Sequence, residues 1–147
     1  MKKINFLHLE IPSKSENESL ARVVVAALAA QLDPTIDELN DVKTAVSEAV
    51  TNAVIHGYED REGIIIIKAD LYDGELVVEV EDRGAGIKNL EQAREPLFTT
   101  KPEEERSGMG FTIMENFMDR VDIISEDKVG TRVIMRRKFK SVTPAGE

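Results

Sequence analysis

IIIIKADLYDGELVVEVEDRGAG occupies residues 64–86. Four isoleucines open it, Ile64 to Ile67, and the run to Tyr72 is rich in apolar, β-branched residues, as a buried strand requires. Asp73-Gly74 is a two-residue hairpin turn. From Glu75 to Arg83 apolar and charged residues largely alternate, which gives a partner strand with one buried face. A two-residue turn joins only antiparallel strands, so the stretch predicts an antiparallel hairpin at the heart of a sheet. The hairpin ends on Asp82, followed by Gly84 and Gly86. An acid at a strand end can accept a hydrogen bond from an exocyclic amine such as that of adenine. Glycines beside it let a backbone approach a ligand closely or take positive φ. D-x-G-x-G on its own is equally a glycine turn beside a solvated aspartate. It is not the dinucleotide fingerprint, because no helix opens from it and no third glycine follows on schedule.

Upstream lies SEAVTNAVIHGY, residues 47–58. Glu48, Asn52 and His56 are spaced by four, and each step of four advances only ~40° around a helix. Glu48 and Asn52 therefore share one strip, and His56 begins to leave it. Val42, Val46, Ala49, Val50 and Ala53 form the neighbouring apolar stripe, and Gly57 is a helix stop. The polar strip alone reads as a solvent edge or as a site. This helix starts after Asp33-Pro34 breaks the chain, with Thr35 as its cap. Before it, residues 4–11 (INFLHLEI) alternate as a first strand, and Ser15 or Asn17 could cap a helix running to about Leu32.

Downstream, residues 84–107 combine glycine, proline and charge with weak periodicity, which predicts a loop with a short helical piece near 89–94. LFTTKPEEERSGMGF (97–111) contains Thr99, Thr100, Lys101, Arg106, Ser107 and the run Gly108-Met109-Gly110. Glycines at a helix start leave N–H groups facing outward, which suits a phosphate, and Lys101 and Arg106 add positive charge. The same features also fit a surface loop with a glycine-capped helix. Residues 108–120 predict that helix, and 121–127 and 131–139 a final hairpin around VGTRV (129–133). KSVTPAGE (140–147) reads as a disordered tail. The expected architecture is one domain over residues 1–139: an α/β two-layer sandwich with a mixed, mainly antiparallel sheet and helices on one face.

Composition narrows the function. A chain of 147 residues with 41% hydrophobic content can bury a core of its own. No run approaches a membrane span, and the N-terminus lacks the apolar segment of a secretion signal. Cysteine is absent, which excludes disulfides and thiolate metal sites and fits a cytoplasmic protein. The net charge of −9 argues against direct nucleic-acid binding. There is no G-x-x-x-x-G-K-[ST] loop.

E-x-x-x-N on a helix, D-x-G-x-G after a strand, and a threonine-rich loop running into G-x-G and a helix occur here in that order. In this the chain resembles the GHKL superfamily of ATP-binding proteins, with EAVTNAVIHG as its N box, DRGAGI as its first glycine box and GMGF as its second. Within that group QLDPT, PLFTTKP and ERSGMGFTIMENFMD resemble the sporulation anti-sigma-F factor family, serine-protein kinases of endospore-forming bacteria. The resemblance covers about residues 4–138.

It implies a protein that binds a sigma factor, holds it from core RNA polymerase, and phosphorylates an antagonist protein on serine, as a homodimer using ATP and Mg²⁺. Glu48 would be the general base and Asn52 the Mg²⁺ ligand. Asp82 would read the adenine amine, Gly84 and Gly86 would admit the nucleotide, and Thr131 would support its pocket. Thr99, Thr100, Lys101, Ser107, Gly108, Met109 and Gly110 would lie over or cradle the phosphates. Arg106 could face phosphate or a protein partner. Arg22, on the first helix, is a candidate partner contact. His56 is assigned to the helix C-terminus, where a histidine caps carbonyls. The alternatives are a general-stress anti-sigma kinase of the same fold, or an ATP-dependent binding switch without turnover. A histidine kinase core would need an acceptor histidine on a separate helix, and an Hsp90- or MutL-like clamp would need large further domains.

Overall fold

A computed structural model of the chain describes residues 2–58, 61–86 and 110–140. In chain order the elements are β1 (Lys3–Pro12), α1 (Asn17–Ala29, continued by a 3₁₀ turn at Ala30–Leu32), α2 (Ile36–Asn52, continued by a π turn at Ala53–Gly57), β2 (Ile64–Tyr72), β3 (Glu75–Asp82), α3 (Gly110–Phe117), β4 (Arg120–Glu126) and β5 (Gly130–Lys138). The sheet order is β1-β2-β3-β5-β4. All four pairings are antiparallel, so the parallel component that a mixed sheet would include is absent among the described residues. The predicted short helix near 89–94 and the tail from residue 141 lie outside the described residues, and no helix among those described is long and apolar enough to cross a membrane.

Alternation decides which face is covered. In β3, Leu76, Val78, Val80 and Asp82 are buried, while Glu75, Val77, Glu79 and Glu81 are half-exposed on the other face. The register aligns Leu71, Ala69 and Ile67 of β2 with Leu76, Val78 and Val80. Val133 and Met135 of β5 continue the layer. Val25 and Leu28 of α1, Val42, Val46 and Val50 of α2, and Met114 of α3 complete one core. Burying each such side chain contributes about 1.5–3 kcal/mol. The open face is held by charge across the strands, notably the two bonds from Arg132 to Glu79 (2.8 and 3.2 Å).

Helix α2 is fastened at its start. Thr35 Oγ1 accepts the N–H of Glu38 (3.0 Å), and Glu38 Oε1 accepts the N–H of Thr35 (2.9 Å), a reciprocal cap. Glu38 Oε2 accepts the N–H of Lys140, just beyond β5 (2.9 Å). Burial pushes the Glu38 carboxyl up, but these bonds and the Arg137 charge outweigh it and hold the group below its ordinary value. Arg137, on the core side of β5, donates to Asp41 of α2 (3.0 Å) and to the Phe117 carbonyl at the end of α3 (2.5 Å). One guanidinium thus ties two helices to the sheet. At α1 neither Ser15 nor Asn17 caps: Glu16 is the N-cap residue without a side-chain bond, and Asn17 donates to the carbonyl of Pro12 (2.8 Å).

Candidate functional site

The α2 helix does not run as a regular α-helix to His56. After Asn52 its ladder widens, and the N–H of Tyr58 reaches the carbonyl of Ala53 (3.1 Å), five residues back. A π turn accommodates one extra residue and often marks a functional site. It carries Gly57 to the end of β3: a Cβ on Gly57 would lie 2.6–2.8 Å from the Asp82 carboxyl atoms. A Cβ on Gly84 would collide with the Gly57 carbonyl, which accepts the N–H of Ala85 (2.7 Å). Helix end and glycine turn are therefore in backbone contact, and neither position has room for a side chain.

Asp82 is the floor of this junction, 6% exposed. Burial pushes its carboxyl up to about 6, against the N–H bonds from Gly84 and Thr131 that favour the charged form, with the neighbouring Glu81 adding to the rise. The Gly84 N–H lies 3.0 Å from Oδ1. Near neutral pH the group is a buried carboxylate able to accept one further donor. Thr131 is its cross-strand partner, itself buried, and shares a hydrogen bond with Ser125 (2.8 Å). Gly86 has φ of 74° and packs against the Glu126 carbonyl, and the N–H of Lys128 donates to Ala85. The turn after β3 is thus held by α2 on one side and by the β4–β5 turn on the other.

At the other end of the π turn, Asn52 meets the start of α3: a Cβ on Gly110 would lie 3.0 Å from both Oδ1 and Nδ2 of Asn52. Glu48 is half-buried one turn earlier on α2. Arg22 of α1 lies along the same stretch, 3.2 Å from Glu18, 3.2 Å from Ser19 and 3.4 Å from Ser47, the neighbour of Glu48. Thr51, the neighbour of Asn52, reaches Glu18 at 3.5 Å. His56 is half-buried in the last turn.

The structure therefore brings Asp82, Gly84, Gly57 and Thr131 together at one end of the π turn, and Asn52 with Gly110 at the other. Thr99, Thr100, Lys101, Arg106, Ser107, Gly108 and Met109 lie outside the described residues. Among the described residues no group of three or more His, Asp or Glu could hold a metal ion. Sequence reasoning missed Tyr58, whose contacts join three elements, and the contacts from α1 to α2, Arg22 to Ser47 and Glu18 to Thr51. The aromatic directly after Gly57 was the available signal for Tyr58; nothing in the spacing signalled the α1–α2 contacts.

Residues 11–137 match the family model described as a histidine kinase-like ATPase domain. The chain is 59% identical over 139 residues to an anti-sigma F factor of Clostridium kluyveri, covering 95% of this chain and 98% of that protein. It is 59% identical over 138 residues to the anti-sigma F factor of Clostridium perfringens (93% and 99% covered) and 57% identical over 140 residues to that of Clostridium beijerinckii (95% and 98%). A solved structure of the RsbU and RsbW domains of a Mycobacterium tuberculosis protein superposes with a TM-score of 0.65 at 21% identity, over 92% of this chain and 32% of that one, which is a likeness of fold.

Proposed function

Because the chain belongs to the histidine kinase-like ATPase family and, within it, to the anti-sigma F factors, we propose that it binds a sigma factor and, with ATP and Mg²⁺, phosphorylates a serine of the sigma factor's antagonist. It acts as a cytoplasmic homodimer. The residues present fit a purine nucleotide. Asp82 offers a buried acceptor for an amine. At Gly57 the approach to that acceptor is free of any side chain, because a Cβ there would lie against the carboxyl. The observation that carries the reading is the meeting of Asn52 with Gly110, at the N-terminus of α3 and one turn from Glu48.

Bound Mg-ATP supplies the transferable phosphoryl group and neutralises its charge. Asp82 accepts the exocyclic amine of the base. Thr131 holds the wall beside it. Asn52 offers a neutral oxygen to Mg²⁺, which takes few protein ligands when phosphates supply others. The N–H groups at the start of α3 would serve as donors to the phosphates. Glu48 would take the proton that the serine hydroxyl loses as its oxygen bonds to the γ-phosphorus and the bond from that phosphorus to the β–γ bridging oxygen breaks, with ADP as the leaving group; such a base contributes about 10²–10⁴-fold. Thr99, Thr100, Lys101, Arg106, Ser107, Gly108 and Met109 are assigned to the phosphates by resemblance, and Gly86 to the entrance. Arg22 contacts the partner protein on α1, and His56 keeps its structural place at the helix end.

Intact-mass spectrometry tests this. The antagonist incubated with this protein and Mg-ATP should gain one phosphate, and Glu48→Gln should abolish the gain while ATP still binds. ATP binding with no transfer to the antagonist would replace the kinase with a nucleotide-operated binding switch.

A further inference from the structure

Tyr58 closes the π turn, and its hydroxyl is shared between two other elements. It donates to the Ile64 carbonyl at the start of β2 (2.5 Å) and accepts the N–H of Arg83 (2.9 Å). The ring lies against Gly63, where any Cβ would collide with it. Arg83 sits between Asp82 and Gly84, beyond the last paired residue of β3, so the β3–β5 ladder offers its N–H no partner. Gly57, the residue before Tyr58, binds the N–H of Ala85. Gly57, the last residue of the π turn, and Tyr58, which caps it, thus grip alternate residues of the glycine turn. One bond would set only the spacing; two, at Arg83 and Ala85, also set the rotation of the peptide between them. That peptide carries the Gly84 N–H that orients the Asp82 carboxyl.

We propose that Tyr58 is a positioning residue for nucleobase recognition: its hydroxyl anchors the turn at Arg83, so that Asp82 presents an acceptor at the angle an exocyclic purine amine requires. This rests on the ATP-site reading above. Tyr58 touches no nucleotide and acts through the Arg83 peptide.

The test is titration calorimetry of the full chain with ATP and with ITP, which carries an oxo group in place of the amine. Tyr58→Phe keeps the ring and removes both hydroxyl bonds. Affinity for ATP should fall about 5- to 10-fold, the scale of one lost hydrogen bond, while affinity for ITP changes little, so the preference for ATP narrows. Gly63→Ala, which displaces the ring from the other side, should narrow it in the same way if Tyr58→Phe proves unstable. Added to Asp82→Asn, Tyr58→Phe should cause no further narrowing. Equal losses for both nucleotides, or an unchanged ratio in both variants, would overturn the proposal and leave Tyr58 a structural residue. A wild-type protein that binds neither nucleotide would overturn the ATP-site reading itself.

Discussion

Asp82 sets stability against recognition at a single carboxyl. Its folded value of about 6 lies above the ordinary 3.8, so the native state holds a proton that the unfolded chain has released between those values. Stability therefore falls as pH rises from about 4 to about 6, and the full penalty, about 3 kcal/mol, stands above that range. Asp82→Asn removes the titration. Urea unfolding at pH 4, 5 and 7 should show the variant gaining on the wild type as pH rises, with the difference constant above pH 7. ATP affinity should run the other way in the wild type, weakening below about pH 6 as the acceptor takes up a proton. A wild-type curve parallel to that of the variant would mean that Asp82 is not buried in solution. The position of Asp82 was legible from the even-numbered apolar residues of β3, which put it on the covered face. Its raised pKa was not, because that comes from burial, and part of the cover is Gly57, a residue 25 positions away with no patterned relation to it.

At the scale of elements, α2 carries most of the candidate site, and its two ends differ. The start is closed by the Thr35–Glu38 cap, the end is opened by a π turn. Thr35→Ala should lower stability by about 1 kcal/mol and the midpoint of thermal unfolding by about 2–4 °C. Nucleotide affinity, which depends on the far end of the helix, should stay unchanged; calorimetry with and without ATP reads both. The Thr35 cap, the 73–74 turn and both hairpins were readable, because capping residues and alternation act over a few neighbours. The π turn was not. One extra residue in a ladder leaves the apolar stripe of Val42, Val46 and Val50 intact, and its cause is the distant glycine turn that Gly57 and Tyr58 must reach. The contacts of Arg22 with Ser47 and of Thr51 with Glu18 were hidden for a related reason, since they depend on how α1 crosses α2.

At the scale of the molecule the sheet is graded. β3 is flanked by β2 and β5, while β1 is a ten-residue edge that exposes Phe6, 64% accessible, beneath Lys3. Native-state hydrogen exchange should find the slowest amides in β2, β3 and β5, and faster exchange in β1 and β4. Protection of β1 equal to that of β3 would mean that this edge is covered in solution by another chain. The grading also has a temporal side. Glu38 holds Thr35 three residues away and Lys140 at a separation of 102 residues. During synthesis the first half of that bond set can form as soon as α2 emerges, but the second must wait for almost the whole chain. Glu38 thus acts as a completion mark: the carboxylate that starts the site-bearing helix is fully satisfied only in a chain translated to its last strand, and a ribosome stalled before residue 140 would hold a helix whose cap is still half open.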